Sequence, residues 1–239
     1  MDVRKHIPNS ITSLNILSGV LGVIFALEGK LEAAFVLMLL AAVFDFCDGL
    51  AARLLKAYSD VGKELDSLSD VVSFGVLPSV MLYCVFGTQS QVLRFFPLLI
   101  AAFSALRLAK FNLDDRQHDS FIGLPTPACA MVCGSLACFV AKVPGSFLSH
   151  WCDRPLFIAL LTVVLCWLLV CEIPMFSFKF GGGKKASRSD NVKRLVFLAV
   201  AVLGLLAAAI FKMHWSLAFL VAFSGYILIN LLGPAFVRK

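Results

Sequence analysis

An all-α polytopic membrane protein is the fold class this sequence predicts, and three observations predict it. The 239 residues are 60% hydrophobic and 15% charged, with a mean hydropathy of +0.90. A soluble domain of this size needs far more polar surface to cover its core. The apolar residues come in blocks of about 20, the length that crosses a hydrocarbon layer of roughly 30 Å. Basic residues are also placed unevenly between the two ends of these blocks, as short cytosolic loops require.

The apolar blocks predict eight spans, at 10–28, 31–55, 66–87, 91–111, 124–143, 155–173, 192–211 and 214–232. With the N-terminus in the cytosol, five of the 21 lysines and arginines (Lys30, Arg94, Lys142, Arg154 and Lys212) fall on the far side, leaving 16 on the cytosolic side. Shifting the span count by one destroys that asymmetry, so it also supports eight spans and a cytosolic C-terminus. The net charge of +6 is then explained by topology and anionic headgroups, and no nucleic-acid partner is expected. The start, Met1-Asp2-Val3-Arg4-Lys5-His6, leads into a run long enough to span, with no small-residue cleavage site, so no cleavable signal peptide is expected. The eight cysteines lie mostly in apolar runs without a CxxC pair, and His6, His118, His150 and His214 are scattered. Small buried hydrophobes explain the former, and neither set suggests zinc or di-iron.

Six of the fifteen acidic residues fall in one short window: Asp45, Asp48, Asp60, Glu64, Asp66 and Asp70. Charge within a span is costly and normally faces the bundle interior or a wet cavity. At about 100° per residue, Asp48 lies near −60° from Asp45, with Gly49 near +40°, Ala52 near −20° and Arg53 near +80°. On the next helix, Gly62, Asp70 and Ser73 lie near −40°, +40° and −20° from Asp66. Each helix thus offers two carboxylates and small residues on one face. Glu64 points away and Asp60 falls at the helix edge, so both are excluded. Counted from Leu31 at about 1.5 Å per residue, Asp45 is some 21 Å into a core of roughly 30 Å, under the cytosolic leaflet.

Four close aspartates cannot all stay ionised and unpaired. An oxygen-only set suits a hard divalent cation, Mg²⁺ or Mn²⁺, shared with a phosphate substrate. Gly49, Ala52 and Gly62 remove bulk where a diphosphate would approach, and Arg53 offers it a planar donor fork. Two other readings stand beside this one: polar residues joining helices, and the ion or proton pathway of a transporter.

The string Asp45-x2-Asp48-Gly49-x2-Ala52-Arg53-x8-Gly62-x3-Asp66-x3-Asp70 resembles the signature of the CDP-alcohol phosphatidyltransferase family at every defined position. The resemblance implies a six-helix core, here 1–173; the apolar blocks add a basic cytosolic loop at 174–191 and two further spans at 192–239 that carry no family motif, all within one membrane domain. It implies a homodimer, with Asp45, Asp48, Asp66 and Asp70 holding one or two divalent metals. Asp70 would also act as general base, and Gly49, Ala52, Arg53 and Gly62 would line the CDP site. Three further stretches resemble the phosphatidylserine synthase branch: His6–Thr12 with Asn15; Arg107-Leu108-Ala109-Lys110-Phe111-Asn112 with Phe121–Pro127; and Phe176–Lys179. Lys110 stands where that branch more often has arginine.

By that resemblance the donor is CDP-diacylglycerol and the acceptor L-serine, giving phosphatidylserine and CMP, with Arg107 and Asn112 as candidate acceptor ligands. A bacterial inner membrane with a cytosolic-side site is the expected location. Glycerol 3-phosphate, inositol phosphate or choline remain alternative acceptors, and an ion-coupled transporter is the alternative of another class. Simpler expectations exist for the outlying stretches. Arg107 and Lys110 read as snorkelling anchors, Gly123–Pro127 as the start of a helix, and Gly181–Lys185 as a basic loop facing headgroups.

Overall fold

The computed structural model describes residues 6–85, 92–113, 121–176, 188–210 and 212–236. The chain is an all-α polytopic membrane protein. Four helical runs, 6–27, 31–54, 60–85 and 93–113, are long and apolar enough to cross a bilayer, and four shorter apolar helices follow them.

Helix α1 (His6–Leu27) carries Pro8 in its first turn, where a missing N–H costs nothing. Its buried stripe is small and polar (Thr12, Asn15, Ser18, Gly19 and Gly22), while Leu14, Leu17, Leu21 and Ile24 are exposed. That reverses a soluble helix, because the surrounding solvent is hydrocarbon. Gly29, at φ +76°, makes the tight turn into α2 (Leu31–Leu54), which packs along α1.

The third run differs from the expected 66–87. It starts six residues earlier, because Ser59 caps α3 (Asp60–Asp70) by accepting the Gly62 N–H at 3.0 Å. Directly after Asp70, a π-helical segment, Val71–Val76, precedes α4 (Leu77–Val85). Such widened turns cluster at functional sites. This one docks on α1, where the Ser73 hydroxyl donates to the Asn15 carbonyl at 3.0 Å. A Cβ on Gly19 would collide with Ser73 Oγ and stand 3.0 Å from the Ser73 Cα. Gly19→Ala is therefore expected to destabilise the fold by about 1–3 kcal/mol, read as a lower thermal midpoint in detergent.

The fourth run enters through a 3₁₀ turn, Leu93–Leu98, and continues as α5 (Leu99–Leu113). Helix α6 (Thr126–Lys142) is the centre of the bundle and is buried almost throughout. Its small residues, among them Cys129, Cys133, Gly134 and Cys138, let α2, α4 and α10 approach closely. All eight cysteines are free. The short α7 (Phe147–Cys152) and α8 (Pro155–Val170) follow.

Strand β1 (Phe121–Ile122) pairs antiparallel with β2 (Pro174–Met175), a small bridge that apolar periodicity did not predict. Gly123 comes next at φ +77°, where a Cβ would press on the carbonyls of Cys171 and Leu169 at 2.8 and 2.9 Å. The expectation that this stretch opens a helix holds, with Pro125 as the residue before α6.

Helices α9 (Arg188–Ile210) and α10 (Ser216–Phe236) pack on each other, and α10 packs on α6. At one end of the bundle, Glu32 accepts from Lys142 Nζ at 2.5 Å and from Trp215 Nε1 at 3.1 Å, with His214 Nε2 at 3.2 Å. Trp215 also stacks on Phe35. The last helices are thereby joined to the core. The Gly181–Lys185 loop, Arg116 and His118 lie outside the described residues.

Candidate active site

Helices α2 and α3 carry the acidic constellation, and both pack on α1, which brings their carboxylates together. One carboxylate oxygen from each of Asp45, Asp48 and Asp66 lies within 4.8 Å of the others. Asp48 is buried, and its Oδ2 has no hydrogen-bond partner among the described residues. Asp45 and Asp66 are half-buried, which leaves the trio open on one side. Three converging carboxylates in a low-dielectric setting repel one another strongly. An oxygen-only donor set with a buried, unsatisfied oxygen fits a hard divalent cation.

Asp70 stands apart from this trio. It is 9% exposed, and it accepts a long hydrogen bond from Asn15 Nδ2 at 3.4 Å. It stays within electrostatic range of Asp45, Asp66 and Asp48. The four aspartates thus divide into three that converge and one that is held beside them.

Helix α1 does the holding, and the helical-angle reasoning gave it no role. Ser69 Oγ donates to the Thr12 carbonyl at 3.3 Å, next to the Ser73 bond already described. The Thr12 side chain lies against Asp48. Asn15 is fully buried, and its Oδ1 has no hydrogen-bond partner among the described residues. The signal that would have found this wall is the run Pro8, Thr12, Asn15, Ser18 and Gly22, polar or small at helical spacing within an apolar span.

The remaining residues separate by environment. Among the described residues a Cβ on Gly49 would meet nothing within 4 Å, whereas one on Gly62 would meet Ser59 Oγ at 2.9 Å and Asn9 Oδ1 at 3.0 Å. Gly49 therefore borders open space, and Gly62 lets the start of α3 sit against α1. Ala52 is half-buried and Arg53 exposed, as are Asp60 and Glu64. Arg107 corrects one expectation: it is 6% exposed, so it does not snorkel. Its Nη1 donates to Thr126 Oγ1 at 3.1 Å, and it lies within electrostatic range of Asp70. Lys110 is exposed and keeps the anchor reading. Asn112 Nδ2 donates to Ser67 Oγ at 2.9 Å, and its carbonyl accepts from Lys63 Nζ at 3.3 Å, so it braces α3 beside Asp66.

Fold and site together define a helical membrane protein with an intramembrane carboxylate centre able to bind a hard metal ion. Residues 5–171 match the CDP-alcohol phosphatidyltransferase family. The chain belongs to that family. It is 36% identical over 212 residues to the CDP-diacylglycerol–serine O-phosphatidyltransferase of Mycobacterium leprae (strain TN), covering 85% of this chain and 66% of that protein. The Bacillus subtilis (strain 168) protein of the same name is 34% identical over 179 residues, 73% of this chain and 92% of that one. The archaetidylserine synthase of Methanothermobacter thermautotrophicus is 36% identical over 146 residues, 59% of this chain and 63% of that protein. The chain spans less than two-thirds of the length of the mycobacterial relatives, at 66% and 60% for two of them.

Proposed function

We propose that the protein is a CDP-diacylglycerol–serine O-phosphatidyltransferase, moving the phosphatidyl group from CDP-diacylglycerol to L-serine and releasing CMP. The observation that carries this is the convergence of Asp45, Asp48 and Asp66 within 4.8 Å beside a buried Asp70, in a family whose members act on CDP-linked donors. The names of the bacterial relatives favour serine as the acceptor.

Mg²⁺ or Mn²⁺ held by the carboxylates would neutralise charge on the donor diphosphate. The protein's own groups do the rest. Gly49 and Ala52 leave room for the nucleotide, Gly62 serves the donor side by letting the start of α3 pack on α1, and the Arg53 guanidinium offers a bidentate contact to phosphate. Asp70, held by Asn15, takes the proton of the serine hydroxyl, which is otherwise a poor nucleophile at neutral pH. The serine oxygen then bonds to the phosphorus that bears diacylglycerol as the bond from that phosphorus to CMP breaks. Arg107 and Asn112 flank the acceptor, Arg107 offering its charge to the serine carboxylate.

The eight spans, cytosolic termini and cytosolic-leaflet site follow the basic-residue asymmetry and belong to this proposal. So do the division at 1–173, 174–191 and 192–239, the homodimer, and a bacterial inner membrane.

Purified protein given CDP-diacylglycerol, Mg²⁺ or Mn²⁺ and a panel of alcohols tests the reading. Equal amounts of CMP and phosphatidylserine are expected with serine. Transfer to glycerol 3-phosphate, inositol phosphate or choline instead would overturn the acceptor. Substrate flux into sealed vesicles without CMP release would indicate a transporter. A second expectation comes from Gly49, beside which space is open. Gly49→Leu should leave thermal stability within about 0.5 kcal/mol yet weaken CDP binding, measured by calorimetry with the free nucleotide.

A further inference from the structure

Residues beyond the matched family segment, which ends at 171, make a continuous set of contacts back to the site. Tyr226 of α10 is 1% exposed and donates its hydroxyl to the Phe176 carbonyl at 2.9 Å. Asn230, one turn further on and fully buried, accepts the Phe176 N–H through Oδ1 at 3.0 Å. Its own Nδ2 is used by the Tyr226 carbonyl at 2.8 Å. Both backbone groups of Phe176 are therefore clamped by one helix, and its ring meets Tyr226 edge to face at 4.8 Å. Buried polar groups on an apolar helix are retained at a cost in hydrocarbon and call for a specific partner.

Phe176 directly follows β2, which pairs with β1. From β1 the chain turns at Gly123, whose N–H donates to the Ile173 carbonyl at 2.9 Å, while the Leu124 N–H donates to Leu168 at 2.8 Å. Two residues later Thr126 accepts the Arg107 guanidinium. Arg107 in turn lies within electrostatic range of both Tyr226 and Asp70. The last span thus reaches the site by two routes: through the β bridge, and through the electrostatic influence of Tyr226 on Arg107.

We infer that Tyr226 and Asn230 are positioning residues for the acceptor side of the site: by clamping Phe176 they hold the β1–β2 bridge, Thr126 and hence Arg107 in place beside Asp70. The last span is part of the acceptor pocket. This rests on the reading of Arg107 as an acceptor ligand. The trio and Gly49 lie on α2 and α3, while the clamp acts on Arg107 of α5 through α6, α8 and the bridge, so loosening it should affect the acceptor more than the donor.

The test uses the full chain in lipid nanodiscs, with Tyr226→Phe, Asn230→Ala and Thr126→Val. Tyr226→Phe keeps the ring and loses the hydroxyl; Thr126→Val cuts the contact to Arg107 without touching α10. Each should raise KM for serine by about tenfold, the scale set by one buried hydrogen bond, and leave KM for CDP-diacylglycerol within about twofold. Hydrogen–deuterium exchange, which needs no turnover, should speed up at 121–126 and 172–176 in Tyr226→Phe and Asn230→Ala. An unchanged serine KM, or both KM values moving by one common factor, would overturn the inference. If the wild type uses another alcohol, the acceptor assignment fails by itself, and the same KM comparison with that alcohol decides the clamp. If the wild type transfers to none, unchanged exchange at the bridge overturns the clamp and faster exchange upholds it.

Discussion

Asp70→Asn is expected to lower phosphatidyl transfer by about 10³-fold, the usual contribution of a positioned base, while leaving nucleotide binding measurable. The substitution is nearly isosteric. An amide oxygen can still accept from Asn15 Nδ2, as Oδ1 does at 3.4 Å, so the residue keeps its place against α1. What disappears is the ability to take the proton of the acceptor hydroxyl. Asp70 lies outside the group formed by Asp45, Asp48 and Asp66, so metal and donor should still bind. Single-turnover transfer and Mn²⁺-dependent CDP binding, measured on the same preparation, separate the two effects. Wild-type turnover in this variant would remove Asp70 as the base. Loss of CDP binding together with turnover would place Asp70 in the donor site instead.

Asp66→Asn should give the opposite profile. It removes one charge from three oxygens held within 4.8 Å, and the remaining pair makes a poorer seat for a divalent ion. Changes to groups that merely support metal ligands already cost about 10–100-fold in affinity, and a direct ligand should cost at least as much. Transfer is expected to fall correspondingly, and chelation with EDTA should stop it in the wild type until Mg²⁺ or Mn²⁺ is restored. Without metal, the same substitution relieves repulsion among carboxylates. The metal-free variant should therefore melt higher than the metal-free wild type, by a few degrees for each kcal/mol relieved. Function lost as stability rises is the pattern of a site strained for its task. A variant that loses both would be structural.

Much of this was legible in the sequence because membrane helices obey a few strong rules. Apolar runs locate the spans, and charges within them stand out. Helical angles alone put Asp45 and Asp48 on one face of their helix and Asp66 and Asp70 on one face of the next, and set aside Asp60 and Glu64, which are exposed. Those angles assume 3.6 residues per turn, and the assumption fails at Val71–Val76, where the wider turn carries Ser73 onto α1. Asn15 and Thr12 were named in the resemblance but given no place in the site, because the polar and small stripe at helical spacing on α1 was not read as a wall facing the aspartates. Arg107 reads from the sequence as a candidate acceptor ligand with a snorkelling anchor as the simpler alternative, and only tertiary packing, which buries it against Thr126, removes the anchor. The β1–β2 bridge and the Phe176 clamp depend on contacts across 50 or more residues, which no local pattern encodes.

The central claim is that Asp45, Asp48 and Asp66 seat a divalent ion together. Electron paramagnetic resonance of Mn²⁺ titrated into purified protein tests it most directly, comparing the wild type with Asp45→Asn, Asp48→Asn and Asp66→Asn. A bound Mn²⁺ signal that weakens in all three single variants, and that broadens when CDP is added to the wild type, is the expected result. Wild-type Mn²⁺ binding in each of the three variants would contradict the account.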